Sequence, residues 1–320
     1  MKVFMIGGTG FLGYYATSEL IKRGHQVTIL ALPPIPVQGL FPQEVQIHVA
    51  DLNQLSEDAV ITLLKGQDAL VFAAGADDRV TPKKPAYPFF RKHNVEATQR
   101  LFGLARRAGV KRGVVLGSYF AYFNRIWPEL KLSAYHPYIR SRVEQEQVAI
   151  EAGGKEMAVM ILQLPYIFGS MPGRTPLWKP LIGYLKSGFP LFYPRGGTSC
   201  VTVQQVAEAI VGAIEKGKGG ERYPVAGVNL TWVELLLALG KCARVNRRVH
   251  TLPDGLVLFG TSLLKGFHRI KGLESGLDPV EYVKLQTANT FLDPRPVQEI
   301  LGYSSGNLEK AFEETVSACS

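Results

Sequence analysis

Residues 7–13 read GGTGFLG, and this short stretch decides the fold that the sequence predicts. It follows an apolar run from Lys2 to Ile6 that is typical of a buried strand, and it opens a run with helical spacing from Phe11 to Arg23. Glycines between a first strand and a first helix permit a tight turn, a close approach of the backbone to a pyrophosphate, and close packing of helix on strand. We therefore expect a loop that binds a dinucleotide.

The alternation of strand-like and helix-like runs continues beyond this loop. The runs are Gln26 to Leu30, Val45 to Val49, Ala59 to Leu64, Ala69 to Phe72, Glu96 to Arg107, Gly113 to Leu116, Arg142 to Glu151 and Met157 to Leu162. Buried β-α units at this spacing require a parallel sheet with helices on both faces and right-handed crossovers. The sequence predicts an α/β fold with a Rossmann-type, doubly wound parallel sheet.

The second half of the chain is less regular, with Pro and Gly between residues 165 and 197. A helical stretch at Val203 to Glu215 and a strand at Tyr223 to Ala226 look like another α-β unit that returns to the sheet. We expect residues 1–163 to form an NAD(P)-binding domain, with 201–226 returning to it. Residues 164–200 and 227–320 should form mainly a smaller, discontinuous C-terminal substrate domain.

Composition excludes several classes of protein. The chain has 320 residues, of which 46% are hydrophobic and 20% charged, so disorder is excluded as its main state. Its three cysteines form no CxxC pair and its six histidines show no metal-ligand spacing, which predicts free thiols in a reducing compartment and no metal. No apolar run approaches the ~18 residues of a membrane span, and the N-terminus is too short for a signal-peptide core. We expect a cytoplasmic protein.

The net charge of +9 is concentrated in one segment. Between Lys241 and Lys271 there are seven basic residues against Asp254 alone, which gives this segment +6. No aromatic-interleaved nucleic-acid motif accompanies these cations, so nucleic acid is not expected as a partner. Leu256 to Leu264 is apolar with basic flanks; this pattern favours a packed substrate-domain helix with a basic rim over a peripheral membrane contact.

Further motifs carry a resemblance to a known family. They are the Asp51-Leu52 pair, Ala73-Ala74-Gly75, Asn94-Val95-Glu96-Ala97-Thr98, Ala108-Gly109-Val110-Lys111-Arg112, Asn229-Leu230-Thr231 and Leu301-Gly302-Tyr303. With GGTGFLG they resemble the extended short-chain dehydrogenase/reductase family, in its NAD-dependent epimerase/dehydratase group, over nearly the whole chain. The resemblance implies that NAD or NADP contacts Gly7, Thr9, Gly10, Phe11, Leu12, Gly13, Asp51, Leu52, Ala73, Ala74, Gly75, Asn94, Tyr138, Arg142, Pro165 and Ile167.

The same resemblance implies three catalytic residues. Ser118 ends the fifth strand in VVLGS and would hold the substrate oxygen, and Tyr138 in the segment HPYIRSR (136–142) would act as acid and base. The family carries Lys four residues after this Tyr, whereas this chain carries Arg142. Helical i, i+4 spacing places both side chains on one face, where a cation typically lowers a phenol pKa by about 1 to 3 units. Arginine supplies this charge but cannot relay a proton.

Cofactor preference and substrate stay open at this stage. The second strand ends in Leu30-Ala31-Leu32, which offers neither the acid that binds a ribose 2′-hydroxyl nor an Arg for a 2′-phosphate. Family members that act on nucleotide-linked sugars carry an Arg where this chain has 198–201, TSCV, although Arg195 is close. The aromatic residues after Ser118 suit an apolar substrate or stacking on a sugar face; they are Tyr119, Phe120, Tyr122, Phe123 and Trp127.

Two functional hypotheses follow. The first is an NAD(P)-dependent oxidoreductase or epimerase/dehydratase that acts on a small hydroxyl or carbonyl substrate by hydride transfer. The alternative is a catalytically impaired protein that senses NAD(P) and regulates a partner. The resemblance also suggests a homodimer through the helices near Glu96 and Tyr138. We interpret Asp77-Asp78 as a solvated loop.

Overall fold

A computed structural model describes residues 1–319 of the chain and contains thirteen strands and fourteen α-helices within them. The strands are β1 (Lys2–Ile6), β2 (Gln26–Ala31), β3 (Gln46–Val49), β4 (Ala69–Phe72), β5 (Arg112–Ser118), β6 (Ala158–Leu164), β7 (Tyr166–Phe168), β8 (Leu191–Pro194), β9 (Gly197–Thr202), β10 (Arg222–Pro224), β11 (Val228–Thr231), β12 (Val249–Leu252) and β13 (Asn289–Thr290). The helices are α1 (Phe11–Lys22), α2 (Glu57–Leu64), α3 (Tyr87–Phe90), α4 (Ala97–Arg107), α5 (Tyr119–Ile126), α6 (Leu132–Tyr135), α7 (Pro137–Gly153), α8 (Lys179–Lys186), α9 (Val203–Lys216), α10 (Trp232–Cys242), α11 (Asp254–Ile270), α12 (Tyr282–Gln286), α13 (Arg295–Leu301) and α14 (Leu308–Ala318). A π-helical turn, Arg91–Glu96, leads into α4, and a 3-10 turn covers Pro128–Leu130.

The central sheet has seven parallel strands in the order β10-β6-β5-β4-β1-β2-β3. The chain runs outward from β1 in one direction through β2 and β3, and in the other through β4, β5 and β6. Ligands of such sheets bind at the carboxyl ends of the strands, beside the position where the direction reverses. The predicted doubly wound α/β sheet is confirmed, and the GGTGFLG loop follows β1 at this reversal.

Two layers of helices cover the sheet because every inner strand is apolar on both faces. On one face α1, α9 and α13 pack over side chains such as Met5 and Ile29. On the other, α2, α4 and α7 pack over Phe4 and Leu70. Burial on both faces explains the nearly continuous apolar strands and fixes the sheet as a rigid support for the loops at its edge.

A second group of elements lies beyond this sheet. Strand β9 pairs with β7 and β13 in parallel and with β11 in antiparallel orientation, while β8 and β12 form a two-stranded ribbon. These strands pack with α8, α10 and α14 around a core that includes Phe168 and Trp232. Strand β10 then returns to the main sheet and pairs with β6.

Helix α11 differs from the packed substrate-domain helix that the sequence favoured. Of the seventeen described residues of this helix, Val257 alone is buried. Most of its large apolar side chains are exposed to solvent. Within residues 1–319, no helix combines the length and apolar character that crossing a bilayer requires.

Candidate active site

The GGTGFLG loop fits tightly between β1, β4 and α1. Gly7 has φ +81°, and a Cβ there would lie 2.6 Å from the Ala73 carbonyl oxygen; a Cβ on Gly13 would lie 2.3 Å from the Gly7 carbonyl oxygen. Gly10 is the N-cap of α1 and has no side chain that could cap the helix, so the backbone N–H groups of the first turn suit an anionic ligand. These contacts explain why glycine stands at positions 7 and 13.

A cleft of about 410 Å³ opens beside this loop at the carboxyl end of the sheet. Eight of the expected cofactor contacts line it: Gly7, Thr9, Gly10, Asp51, Leu52, Ala73, Ala74 and Gly75. Phe11, Leu12 and Gly13 form the first turn of α1 and do not line the cleft. A narrow cleft with glycine and alanine walls at a helix N-terminus has the shape and chemistry that a dinucleotide requires, so the residues present fit NAD(P).

The cleft wall also contains Arg174, which sequence reasoning missed. Gly173 has φ +73°, and a Cβ there would lie 2.4 Å from a methyl carbon of Val37. This close approach packs the loop of Arg174 onto the segment that follows β2, where Leu32 lines the cleft in place of an acid. Residues more than a hundred positions apart thus meet at one site, and no spacing within the sequence signals it.

Ser118, Tyr138 and Arg142 come together as the resemblance implied. Ser118 ends β5, and Tyr138 and Arg142 lie one turn apart at the start of α7; all three are buried. The Arg142 guanidinium carbon lies 5.2 Å from the centre of the Tyr138 ring. The arrangement places a hydroxyl, a phenol and a fixed positive charge around one point.

The pKa of Tyr138 differs from the expected lowering. Burial raises the pKa of this phenol, Arg142 lowers it by its charge, Asp78 raises it, and hydrogen bonding with Ser118 and Arg142 lowers it. The net direction is upward, because removal of the phenolate from water outweighs the cation. Tyr138 is therefore a protonated phenol at neutral pH.

Arg142 is held by acceptors on three elements. Its Nη1 donates to the Gln145 side-chain oxygen at 2.8 Å and to the Leu116 carbonyl at 3.4 Å, and its Nη2 donates to the Ala76 carbonyl at 3.2 Å. Gln145 in turn donates to the Thr98 hydroxyl at 2.9 Å. Gln145 could not be singled out from the sequence, because its role depends on the forked side chain of Arg142. The charge beside Tyr138 is thus fixed in position.

Asn94 connects this network to the cleft. It lies in the π-helical turn before α4; its side-chain oxygen accepts from the Ala76 N–H at 2.8 Å, and its amide donates to the Ser141 hydroxyl at 3.0 Å. A Cβ on Gly75 would lie 2.7 Å from the Asn94 side-chain oxygen. Asn94 does not line the cleft but supports the loop that does.

Aromatic side chains surround Tyr138 on the side away from the cleft. Their core consists of Phe90, Tyr119, Phe120, Phe123, Tyr138 and Tyr282. The Tyr119 hydroxyl shares a hydrogen bond of 2.9 Å with Thr198, and the Tyr166 and Tyr282 hydroxyls lie 3.2 Å apart. Burial raises the pKa of Tyr119, Tyr166 and Tyr282, so each is neutral. The environment of the reacting group is apolar with a few hydroxyls.

Pro165 and Ile167 lie where the chain leaves β6 and passes this aromatic group. Pro165 is buried, Ile167 is partly buried, and the Ile167 carbonyl accepts from the Trp178 indole at 2.9 Å. Strand β9 contains no cationic side chain, and its residues Thr198, Ser199 and Cys200 are buried. Arg195 instead forms a two-oxygen pair with Asp254 at the start of α11. Its charge is directed toward that helix.

Asp78 corrects the interpretation of Asp77-Asp78 as a solvated loop. Asp77 pairs with Arg79, but Asp78 is only partly exposed. The pKa of Asp78 is raised, mainly by burial and secondly by the charge of Asp77. Its charge acts on Tyr138 and on Tyr119 as well. A carboxyl group therefore faces the aromatic site. The sequence could not show this, because adjacent acids in a loop usually remain in water.

His136 is completely buried before α7. Its Nδ1 accepts from the Asp278 N–H at 2.9 Å, and burial lowers its pKa to about 4. The imidazole is therefore neutral and connects the start of α7 to the segment that follows α11.

Comparisons with known proteins agree with this geometry. Residues 3–226 match the family described as the NAD dependent epimerase/dehydratase family. A sterol-4-alpha-carboxylate 3-dehydrogenase, decarboxylating, from Dictyostelium discoideum is 24% identical over 68% of this chain and 68% of its own length. A 4-hydroxy-2-methyl-3-oxo-4-farnesyl-3,4-dihydroquinoline-1-oxide ketoreductase from Stigmatella aurantiaca is 26% identical over 70% of this chain and 67% of its own. The UDP-glucuronic acid 4-epimerase of Bacillus cereus, solved with UDP-glucuronic acid and NAD, is 14% identical, with a TM-score of 0.72 over 100% of this chain and 99% of its own, and so shares the fold.

Proposed function

Because the chain belongs to the NAD-dependent epimerase/dehydratase family, we propose that it interconverts a ketone and a secondary alcohol on an apolar substrate. The observation that carries this proposal is the aromatic wall around Tyr138, formed by Tyr119, Phe120 and Tyr282. Flat or branched apolar molecules pack well against such walls. Relatives described as acting on a sterol carboxylate and on a farnesylated quinoline support the same substrate class.

The protein's own groups would act at the substrate oxygen. Bound NAD(P) supplies or accepts the hydride. Tyr138 is protonated at neutral pH, so it donates its proton to the oxygen of a ketone, and Ser118 orients that oxygen. The positive charge of Arg142 stabilises the phenolate that remains after the proton has moved. In the reverse direction the Tyr138 phenolate would accept the proton of the alcohol.

Residues of the cleft would hold the cofactor. Gly7, Gly10 and the first turn of α1 would meet the pyrophosphate, and Asp51 with Leu52 would lie at the adenine end. We assign Arg174 to the ribose 2′-phosphate of NADP, since it is a cation in the cleft wall near Leu32. Arg174→Ala should raise the Kd for NADP by about tenfold and leave the Kd for NAD nearly unchanged. Equal losses for both cofactors would contradict this assignment.

Two observations weigh against sugar nucleotides as substrates. The buried stretch of Thr198, Ser199 and Cys200 in β9 offers no cation to a diphosphate, and Arg195 is paired with Asp254. The alternative of an impaired NAD(P) sensor receives no support from the relatives, which are described as a dehydrogenase and a ketoreductase.

A homodimer through α4 and α7 remains part of the proposal. These two helices pack side by side, and exposed side chains such as Gln99, Arg106 and Gln147 lie on their outer faces. Light scattering at several protein concentrations would measure the mass in solution. A monomer at all concentrations would remove the dimer without affecting the proposed reaction.

A substrate panel tests the proposed reaction. The purified chain is mixed with NADH or NADPH and apolar ketones, or with NAD or NADP and UDP-sugars. The nicotinamide absorbance measures net oxidation or reduction, and chromatography of the UDP-sugars measures epimerisation. We expect turnover with a subset of the apolar ketones and none with Tyr138→Phe. Turnover of UDP-sugars alone would contradict the substrate class. Tight cofactor binding without turnover of any hydroxyl or carbonyl compound would favour the sensor.

A further inference from the structure

Five large apolar side chains form a continuous row on the solvent side of α11. They recur at intervals of three and four residues, which places them on one side of a helix, and their exposed fractions lie between 51% and 88%. We call them the apolar stripe: Leu256, Phe259, Leu263, Phe267 and Ile270. Val257, Thr261 and His268 point the opposite way, toward the protein. The helix is thus amphipathic with its more apolar side outward.

Such a row is not the ordinary scatter of exposed apolar residues. Single exposed leucines are common on protein surfaces, but contiguous apolar patches with polar rims mark sites of interaction. Each side chain of the stripe would be stabilised by removal from water, so exposure to solvent alone does not explain the stripe. A partner that covers these side chains would explain it.

The charges beside the stripe indicate the chemistry of that partner. Arg269 and Lys271 flank it near the C-terminal end of the helix, whereas Lys265 is paired with Asp278. The carboxylate of the helix, Asp254, is paired with Arg195 and does not offset them. An apolar row with a cationic rim matches a layer of anionic headgroups above hydrocarbon.

A second copy of the chain fits this surface less well. A seam of two such helices would place residue 266 between them, and that residue is Gly rather than a large apolar side chain. Two copies packed in parallel would also bring Arg269 and Lys271 of each helix close to the same cations of the other. Charge complementarity therefore favours a bilayer over self-association.

We propose that α11 is an interfacial helix that docks this protein on anionic phospholipid bilayers. Seventeen residues at about 1.5 Å each give a helix of roughly 26 Å, which would lie flat at the surface with the stripe among the upper acyl carbons. The cations would contact the headgroups. This docking does not depend on the proposed substrate, since it requires neither cofactor nor reaction.

The position of α11 connects the docking surface to the active site. The segment after α11 carries the Gly276 carbonyl, which accepts from the Tyr138 N–H at 2.9 Å, and Asp278, whose carboxylate lies 2.6 Å from Lys265 of α11. A Cβ on Gly276 would lie 3.1 Å from the Cβ of Tyr138. A docked helix would thus hold the aromatic site close to the bilayer.

Vesicle co-sedimentation tests the docking. We expect binding to vesicles of phosphatidylglycerol and phosphatidylcholine at low salt, much weaker binding at high salt, and none to phosphatidylcholine alone. Phe259→Asp with Leu263→Asp should weaken binding at least about tenfold. Ile300→Asp is the matched control, because Ile300 is also exposed but lies on α13 beside the central sheet, and it should bind as the natural chain does.

Two double charge-reversal variants distinguish specific docking from the general attraction of a basic protein to anionic lipid. Arg269→Glu with Lys271→Glu should weaken binding by about tenfold or more, whereas Lys65→Glu with Lys111→Glu changes the net charge equally at exposed positions that precede the inner strands β4 and β5. The second pair should bind nearly as the natural chain does. Thermal unfolding and cofactor binding of every variant show that the fold is kept.

Tryptophan fluorescence measures insertion of the apolar stripe into the bilayer. In Phe259→Trp the new indole should shift to shorter emission wavelength with vesicles and be quenched by lipids brominated on the acyl chain, relative to the natural chain. Absence of binding at low salt overturns the proposal. So does binding that depends on Lys65 and Lys111 rather than the stripe, or a concentration-dependent dimer that Phe259→Asp with Leu263→Asp abolishes.

Discussion

Helices α7 and α11 both contain seventeen residues, and they use them in opposite ways. Helix α7 buries eight residues, among them the charged or polar Arg142, Gln145 and Glu146. Helix α11 buries Val257 and exposes Phe259, Leu263 and the rest of the apolar stripe. One helix carries polar groups inside the protein and the other carries apolar groups outside it.

The contrast shows where ordinary folding preferences give way to function. Buried polar side chains are costly unless they are hydrogen-bonded, and in α7 each is, through Leu116, Thr98 or Arg222. Exposed apolar side chains contribute little hydrophobic stabilisation unless a partner covers them. Local departures from the expected pattern are concentrated at functional sites, and these two helices carry the proposed catalytic tyrosine and the proposed docking surface.

The largest expected effect concerns the polar interior of α7. Tyr138→Phe removes the hydroxyl that moves the proton, so kcat should fall by about 10² to 10⁴-fold, while the Kd of the cofactor stays nearly constant. Steady-state kinetics and cofactor titration measure the two quantities. Turnover equal to that of the natural chain would show that α7 is polar inside for some reason other than catalysis.

Paired alanine substitutions compare the apolar residues of the two helices directly. Ile139→Ala in α7 should lower the free energy of unfolding by about 2 to 5 kcal/mol, because Ile139 is completely buried. Leu263→Ala in α11 should change it by less than about 0.5 kcal/mol, because Leu263 is 61% exposed. Urea unfolding gives both values. Similar losses in the two variants would mean that α11 is covered within the folded chain.

The hydrogen bond between His136 and Asp278 joins the two helices and makes stability depend on pH. The pKa of His136 is about 4 when folded and near ~6.5 when unfolded, so the unfolded chain binds the extra proton. The contribution of neutral His136 to the free energy of unfolding is complete above pH ~6.5 and is lost as the pH falls toward ~4. At pH 5 the free energy of unfolding should be lower by about 2 kcal/mol. Urea unfolding at pH 7 and pH 5 measures it. His136→Asn, which keeps an acceptor but does not titrate, should remove most of this difference, and an unchanged difference would place its origin elsewhere.

The smallest expected effect separates charge from geometry in α7. Arg142→Lys keeps the positive charge beside Tyr138 but loses the fork that holds Leu116, Ala76 and Gln145. Activity should be preserved or raised, while the free energy of unfolding falls by about 1 to 2 kcal/mol because buried acceptors lose a donor. Kinetics and urea unfolding of the same preparation give both numbers. Loss of activity without loss of stability would show that the fork itself is required.

The sequence predicted the cofactor half of the molecule well because each of its features is local. The strand, the glycines at 7 and 13 and the first helix are adjacent in the chain, and their spacing carries the steric reasons for the fold. The family resemblance placed Ser118, Tyr138 and Arg142 in the same way, and the structure brings them together. Their assigned roles stay predictions until they are tested.

Features that depend on contacts between distant segments could not be predicted. Arg174 reaches the cleft because Gly173 packs on Val37. The pKa of Tyr138 depends on how completely several elements cover it. An amphipathic pattern predicts that residues 254–270 form a helix, but it does not say whether the apolar side turns toward the protein. That outcome depends on which surface is left uncovered after the other elements have packed.

The return of β10 to the central sheet has a consequence for how the chain folds during synthesis. Strand β6 is complete at residue 164, but its outer neighbour consists of residues 222–224. Until the ribosome has released that segment, the backbone N–H and C=O groups of β6 are an open template for another strand. A fragment that stops after β6 should therefore aggregate, and the nascent chain should depend on chaperones most strongly during the interval between these two strands.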